Sequence, residues 1–214
     1  NAVEHVFNNN NVLSTHYDAD IIINAGLPDR DLFIFDTDTE QQLQVVDGLG
    51  TLLYGLTVDS QHRIFVAQTD ARNDANGRAG TLKHGLAEMG NRAFFNQVTR
   101  VNCQESCDTP VRLDLEPLPP QHPAVGEALA TPYAIEWSVD AQKLFVTAAG
   151  SNKLFTLNAD TGAILGRVDT GAVPRGIALT DDNEAFVLNA VDNSVTVIDV
   201  SETREMQVQR TINL

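Results

Sequence analysis

The chain has 214 residues, 43% hydrophobic and 20% charged, a composition typical of a folded protein with a substantial core rather than of a disordered chain. Its 14 basic and 29 acidic residues give a formal net charge of −15, which disfavours binding to nucleic acid and to anionic lipid surfaces. No apolar run is long enough to span a bilayer, so no transmembrane helix is predicted.

Residues 1–49 carry a β-rich pattern that is typical of one imperfect four-stranded unit. Its second, third and fourth strands are predicted at Ile21–Ala25, Leu32–Asp36 and Leu43–Val46. The first strand should fall within residues 3–19, where the pattern is weak. The chain opens without a basic and apolar leader, so we expect no signal peptide within it, although one could have been removed.

A run of oxygen-bearing side chains, Asp36-Thr37-Asp38-Thr39-Glu40, follows the third strand of this unit. Such a run suits a cation or a tight turn, because Asp side chains accept hydrogen bonds from backbone amides just ahead of them. The matching place in a later unit is Asn158-Ala159-Asp160-Thr161-Gly162, which has the composition of a turn. We therefore predict a capped turn.

Residues 50–118 form a second unit, which a long insertion at residues 70–97 interrupts. The four strands of this unit are predicted at Leu53–Asp59, Arg63–Ala67, Gln97–Val101 and Val111–Leu115. Long loops inside compact domains often carry function, so the insertion is a candidate site.

The insertion contains Asp70, Asn73, Asp74 and Asn76, whose side-chain oxygens could bind Ca²⁺, with Gly77 allowing a sharp turn. The spacing lacks the terminal bidentate Glu of a strict calcium loop. A loop held by its own hydrogen bonds is therefore favoured over a calcium site, and no other cofactor is predicted.

Cys103 and Cys107 are the only cysteines, and both lie in a polar stretch. They could form a small loop disulfide in an oxidising compartment or remain free thiols in a cytosolic loop. A zinc site with His84 and His122 is a further alternative. We favour the disulfide, because proteins usually avoid exposed free thiols.

Residues 131–171 and 172–214 are two successive copies of one unit, which Pro132 and Pro174 open at a distance of 42 residues. Each copy has a short apolar strand, a polar turn, a β-rich strand, a second turn, an alternating strand and an outer strand. An internal period near forty residues is typical of the blades of a β-propeller.

The strand spacing inside the two copies also agrees. Phe145 and Leu154 are nine residues apart, as are Phe186 and Val195. An isolated meander cannot bury both its faces, whereas stacked meanders bury them and protect most strand edges. We therefore predict an all-β fold, a partial β-propeller of about four blades that are four-stranded antiparallel meanders. A β-sandwich is the competing interpretation, but sandwiches lack this period.

The last two units resemble the YVTN-type β-propeller repeat family of bacterial and archaeal surface and periplasmic proteins. The resemblance rests on the second strand Leu144-Phe145-Val146-Thr147, the third strand Val195-Thr196-Val197-Ile198-Asp199 and the turn at Thr161-Gly162. It implies a fragment of a longer propeller, since members usually have about seven blades. Some longer relatives carry a c-type haem domain, but the chain has no Cys-x-x-Cys-His motif. The resemblance also implies a periplasmic, extracellular or cell-surface location.

The sequence predicts a non-catalytic propeller module that binds or scaffolds a protein, a glycan or an adjacent domain in the cell envelope. The candidate ligand contacts are Tyr54, Tyr133 and Arg175, which lie near the ends of predicted innermost strands, and Tyr133 and Arg175 occupy equivalent positions in successive units. The alternative is part of a lactonase-like or haem-linked redox propeller whose active groups lie outside this chain. Expected partners are a protein, a glycan, the remainder of the same polypeptide, or a second copy bound through exposed blade faces.

Overall fold

The computed structural model describes residues 12–13, 21–22, 30–72, 92–139, 142–181 and 183–214. Within these residues all regular secondary structure is β-strand, as the alternating sequence pattern predicts. None of the described segments is a helix of the length and apolarity needed to cross a membrane.

The N-terminal region contains two short antiparallel pairs, which together we call region I. Strand β1 (Val12–Leu13) pairs with β2 (Ile21–Ile22), and β3 (Leu32–Phe35) pairs with β4 (Gln42–Val46). The first pair places a strand within residues 3–19, where the sequence signal is weak.

Three four-stranded antiparallel meanders follow, each with its strands in sequence order. Sheet II consists of β5 (Leu52–Val58), β6 (Arg63–Ala71), β7 (Phe94–Asn102) and β8 (Val111–Asp114). Sheet III consists of β9 (Pro132–Ser138), β10 (Lys143–Ala148), β11 (Lys153–Asn158) and β12 (Ile164–Asp169). Sheet IV consists of β13 (Pro174–Leu179), β14 (Glu184–Asn189), β15 (Ser194–Asp199) and β16 (Gln207–Asn213).

The clearest differences from the boundaries expected from the sequence lie in the first strands of sheets III and IV and in the β6–β7 hairpin. Strands β9 and β13 begin at Pro132 and Pro174, two residues earlier than the apolar pattern indicates. Proline is tolerated there because the first residue of a strand need not donate to the ladder. In sheet II the β6–β7 hairpin continues to the pair Ala71 and Phe94, so both ends of the segment 70–97 are strand.

Successive sheets pack face to face in chain order, because alternate residues of each strand point to opposite neighbours. Between sheets II and III, Phe65 of β6 packs in one buried cluster with Leu144 and Val146 of β10. Between sheets III and IV, Phe145 packs with Ala185 and Val187. Burying such a phenylalanine contributes about 1.5–3 kcal/mol to the free energy of unfolding.

A third buried cluster joins region I to sheet II. Leu32 and Val46 of the β3–β4 pair pack there against Ile64, Val66 and Val101. Each sheet therefore depends on its neighbours for its dry faces.

The first strands β5, β9 and β13 of the three sheets lie side by side. A Cβ atom added to Gly55 of β5 would stand 2.6 Å from the carbonyl oxygen of Tyr133 in β9. That contact is shorter than any side chain tolerates, so glycine at this position permits the close approach of the two backbones.

Candidate functional site

The three predicted ligand contacts meet in the structure, in a group that we call the Tyr–Tyr–Arg stack. The ring centroids of Tyr54 and Tyr133 are 4.9 Å apart and their planes are inclined by 30°. The guanidinium carbon of Arg175 lies 5.1 Å from the centroid of the Tyr133 ring. These distances fall within the usual ranges for aromatic pairs and cation–π contacts.

Each member of the stack lies at a β-bulge in the first strand of its sheet. Tyr54 stands where the β5–β6 register shifts, and Tyr133 stands where the β9–β10 register shifts. Arg175 lies at the corresponding shift between β13 and β14. Because a bulge redirects the side chain of its extra residue, three equivalent bulges aim three side chains at the same place.

Strained backbone precedes two of these bulges. Thr131 and Val173 have φ values of 55° and 56°, and each comes directly before a proline. This left-handed conformation is unusual for a β-branched residue and costs about 1–3 kcal/mol at each position. Such strain persists only where the surrounding structure compensates for it.

Side chains of the preceding sheet hold both strained residues in place. The backbone amide of Thr131 donates to Oδ1 of Asn96 at 3.0 Å. The amide of Val173 donates to Oδ1 of Asn152 at 2.9 Å. The position of each bulge is therefore set by the neighbouring sheet as well as by its own strand.

Asn96 and Asn152 carry no sequence signal that would predict them as site residues. Asn152 stands in a turn, where asparagine is common for other reasons, and Asn96 stands within a strand. Nothing in the sequence distinguishes an asparagine that holds a neighbouring sheet from one that caps its own turn.

The stack offers two phenol hydroxyls and one guanidinium to a ligand. Arg175 is exposed, and no ion pair or hydrogen bond joins its guanidinium to any other residue that the structure describes. Other arginines are already ion-paired to carboxylates, namely Arg63, Arg92, Arg112, Arg167 and Arg210. The guanidinium N–H groups donate hydrogen bonds, and each phenol hydroxyl can both donate and accept them.

The calcium hypothesis falls mostly on residues that lie outside the described part of the chain, namely Asn73, Asp74 and Asn76. Asp70 is described, and its carboxylate accepts a hydrogen bond from Oγ1 of Thr51 at 2.9 Å. Its other oxygen lies 3.5 Å from Nη1 of Arg112. Across the described ranges, no three His, Cys, Asp or Glu residues form a group that could hold a metal ion.

Cys103 and Cys107 form a disulfide with an S–S distance of 2.16 Å. Gln44 of β4 fixes this loop through two hydrogen bonds. Its Oε1 accepts from the Cys107 amide at 2.8 Å and its Nε2 donates to the Cys107 carbonyl at 3.2 Å. The disulfide loop therefore links region I to sheet II.

A cavity of about 570 Å³ lies beside the disulfide loop, and no sequence pattern predicts it. Arg63 and Arg100 line it, but both are engaged with sheet III. Arg63 pairs with Asp160, and Nη1 of Arg100 donates to the carbonyls of Ala159 and Asp160 at 3.1 and 2.9 Å. These arginines connect two sheets and are not free for a ligand.

The turn predicted at Asp36 is confirmed. Its Oδ1 accepts hydrogen bonds from the amides of Asp38 and Thr39 and from the Thr39 hydroxyl. Asn158 makes the same set of bonds in sheet III. The Thr39 hydroxyl, followed by its backbone amide, lowers the pKa of Asp36.

No protein-family model matches the chain, and no match occurs among curated proteins. Solved structures do match. Hydrazine synthase of Kuenenia stuttgartiensis is 18% identical with a TM-score of 0.64, and the match covers 85% of this chain and 55% of that one. The β-propeller domain of Cps50 (Swd1) from Myceliophteria thermophila is 16% identical with a TM-score of 0.56, covering 85% and 51%.

The periplasmic gluconolactonase of Pseudomonas aeruginosa is also similar, at 18% identity and a TM-score of 0.56, with 85% and 48% of the two chains covered. At these identities the similarity establishes the fold alone. The chain is an all-β partial β-propeller, as predicted, and it spans about half the length of these solved chains. Membership of the YVTN repeat family stays a prediction, since no family model matches.

Proposed function

We propose that this chain is a non-catalytic β-propeller module of the cell envelope that binds a protein or glycan through the Tyr–Tyr–Arg stack. One observation carries the proposal: three successive sheets each place a bulge at the same point of their first strand, and the three side chains meet. In a propeller, first strands surround the central channel, where ligands commonly bind.

The chemistry of the stack favours binding over catalysis. It contains two phenols and one guanidinium, and no imidazole, carboxylate or thiol of the kind that performs most acid–base and nucleophilic steps. Its hydroxyl and N–H groups suit ligands rich in oxygen acceptors. Sugar hydroxyls and peptide carbonyls both meet this description.

An envelope location is supported by two observations. The Cys103–Cys107 disulfide suits an oxidising compartment. One similar structure is a periplasmic protein, and a nidogen/laminin complex is similar at a TM-score of 0.56.

The second candidate function is part of a propeller enzyme, and the similarity to gluconolactonase favours it. Because the chain spans about half of that protein, the groups that react would lie outside this chain. Hydrolysis of glucono-δ-lactone by a longer polypeptide that includes this chain, faster than the buffer rate and lost in its Arg175→Gln variant, would favour this alternative over the binding module.

Arrays of soluble glycans and of peptides test the binding proposal directly. We expect a ligand that the wild-type chain retains to bind Arg175→Gln and Tyr133→Ala at least about tenfold more weakly, because a hot-spot side chain is lost from each. Arg167→Gln is the matched control, since Arg167 pairs with Glu127 away from the stack. Equal binding by all four proteins would contradict the proposal.

A further inference from the structure

The two ends of the series of sheets expose apolar side chains on the faces that point away from the rest of the molecule. At the first end, Phe33 is 42% exposed, Phe35 is 55% exposed, and Leu43 of the adjacent strand is also exposed. At the last end, Leu188 of β14 is 43% exposed, and Ile212 of β16 is exposed two strands away on the same face. Apolar groups gathered on a sheet face usually mark an interaction surface.

The first end repeats a surface that is fully buried elsewhere in the chain. Strand β3 reads Leu-Phe-Ile-Phe and β11 reads Leu-Phe-Thr-Leu, and each is followed by the same capped turn. The counterparts of Phe33 and Phe35 in β11 are Phe155 and Leu157. Both are 0% exposed, because they pack against sheet II. The exposed face of β3 therefore has the side chains that, in sheet III, pack against the preceding sheet.

The last end repeats the other half of the same contact. Leu188 corresponds to Thr147 of sheet III, since each lies two residues beyond the phenylalanine of its second strand. Thr147 is 0% exposed beneath sheet IV. Where the covered position carries threonine, the uncovered one carries leucine, although an uncovered position on a solvated surface would favour a polar residue.

The two exposed faces are thus complementary to each other rather than to themselves. We call a sheet face that is equivalent to the Leu188 face a leading face, and one that is equivalent to the Phe33–Phe35 face a trailing face. Each of the two clusters, between sheets II and III and between sheets III and IV, joins a leading face to a trailing face. Neither of these two clusters joins two faces of the same type.

We propose that a second copy of this chain docks head to tail. The outer face of sheet IV in one copy packs on the outer face of region I in the other. This contact would continue the series of two sheet-to-sheet contacts already made within each copy. Its apolar character also matters, since copies that each carry a net charge of −15 repel one another and need desolvated area to associate. A contact between unlike faces is heterologous.

Mass measurement by light scattering, on samples from about 1 μM to about 500 μM, tests the proposal. The wild-type mass should rise with concentration above the 23.3 kDa of one chain. Leu188→Glu and Phe35→Glu should each remain at 23.3 kDa. Docking of two identical copies uses both faces, so either variant would have to bury an unpaired carboxylate in the contact. Val125→Glu, which replaces an exposed side chain between β8 and β9, should behave as the wild type does.

The mixture of the two blocked variants gives the sharpest result. Each retains one intact and complementary face, so an equimolar mixture should form a species of 46.6 kDa, two chains of 23.3 kDa, and nothing larger. A wild-type chain that stays monomeric throughout would overturn the proposal. So would self-association of either blocked variant, which indicates contact between like faces, or a mixture that stays at 23.3 kDa.

Discussion

Sheets III and IV have the same strand order and closely similar strands, yet sheet III is covered on both faces and sheet IV on only one. Phe145 is buried beneath sheet IV, whereas Phe186, at the same position one unit later, has no sheet over it among the described residues and stays half-buried. The difference shows that burial in this molecule is a property of the neighbouring sheet. The repeat alone does not produce it.

Replacing the two phenylalanines should give the largest difference in the free energy of unfolding. Phe145→Ala should lower the free energy of unfolding by about 3–5 kcal/mol, because it opens a cavity in the cluster between sheets III and IV. Phe186→Ala should cost only about 1 kcal/mol, since the half-buried Phe186 side chain buries less apolar surface than Phe145 does. Urea unfolding below the concentration at which copies associate measures both, and equal losses would contradict serial stacking.

The glycines of the first strands sharpen the comparison. Gly55→Ala should cost about 1–3 kcal/mol, since its new Cβ would stand 2.6 Å from the Tyr133 carbonyl oxygen and the backbones of β5 and β9 would have to separate. Gly176→Ala is the matched change in sheet IV, where the nearest atom is a Leu188 side-chain carbon at 3.3 Å. A smaller loss is expected there in the same unfolding experiment. If Gly176→Ala proved the more damaging, the close approach of first strands would not be the constraint.

The smallest difference in stability is expected when two turn asparagines, Asn152 and Asn193, are replaced with alanine. Asn152 and Asn193 both have left-handed backbone, with φ values of 54° and 51°, so replacing either with alanine incurs a similar conformational cost. The side chain of Asn152 accepts the amide of Val173 at 2.9 Å and so links two sheets, whereas the side chain of Asn193 donates at 3.2 Å to the carbonyl of Leu214 in its own sheet region. Asn152→Ala should therefore be more destabilising than Asn193→Ala by about 1 kcal/mol in thermal or urea unfolding. Equal losses of stability in the two variants would show that the bond from the Val173 amide to Asn152 does not hold the strained residue in place.

The sequence predicted those features that depend on local pattern and period. The 42-residue offset between Pro132 and Pro174 fixed the order of strands in sheets III and IV, and the alternation within β11 fixed its two faces. The equivalence of Tyr133 and Arg175 followed from the same alignment. That equivalence is why the stack could be anticipated at all.

Other features depend on contacts between distant segments, which a single sequence does not show. The left-handed backbone of Thr131 is compensated by Asn96, which lies 35 residues earlier in another sheet. The extension of β6 and β7 to Ala71 and Phe94 is set by pairing across the hairpin, where the residues have no strong alternation. Propensity alone would have favoured a loop at Asp70.

The central claim is that three successive first strands bring Tyr54, Tyr133 and Arg175 together, and proton NMR of the intact chain tests it most directly. With ring centroids 4.9 Å apart, Tyr54 and Tyr133 should give nuclear Overhauser contacts between ring protons, although 79 residues separate them. The side-chain protons of Arg175 should shift upfield over the Tyr133 ring, and this shift should vanish in Tyr133→Ala. Absence of the tyrosine contacts in a folded sample, with Arg175 unshifted, would contradict the account.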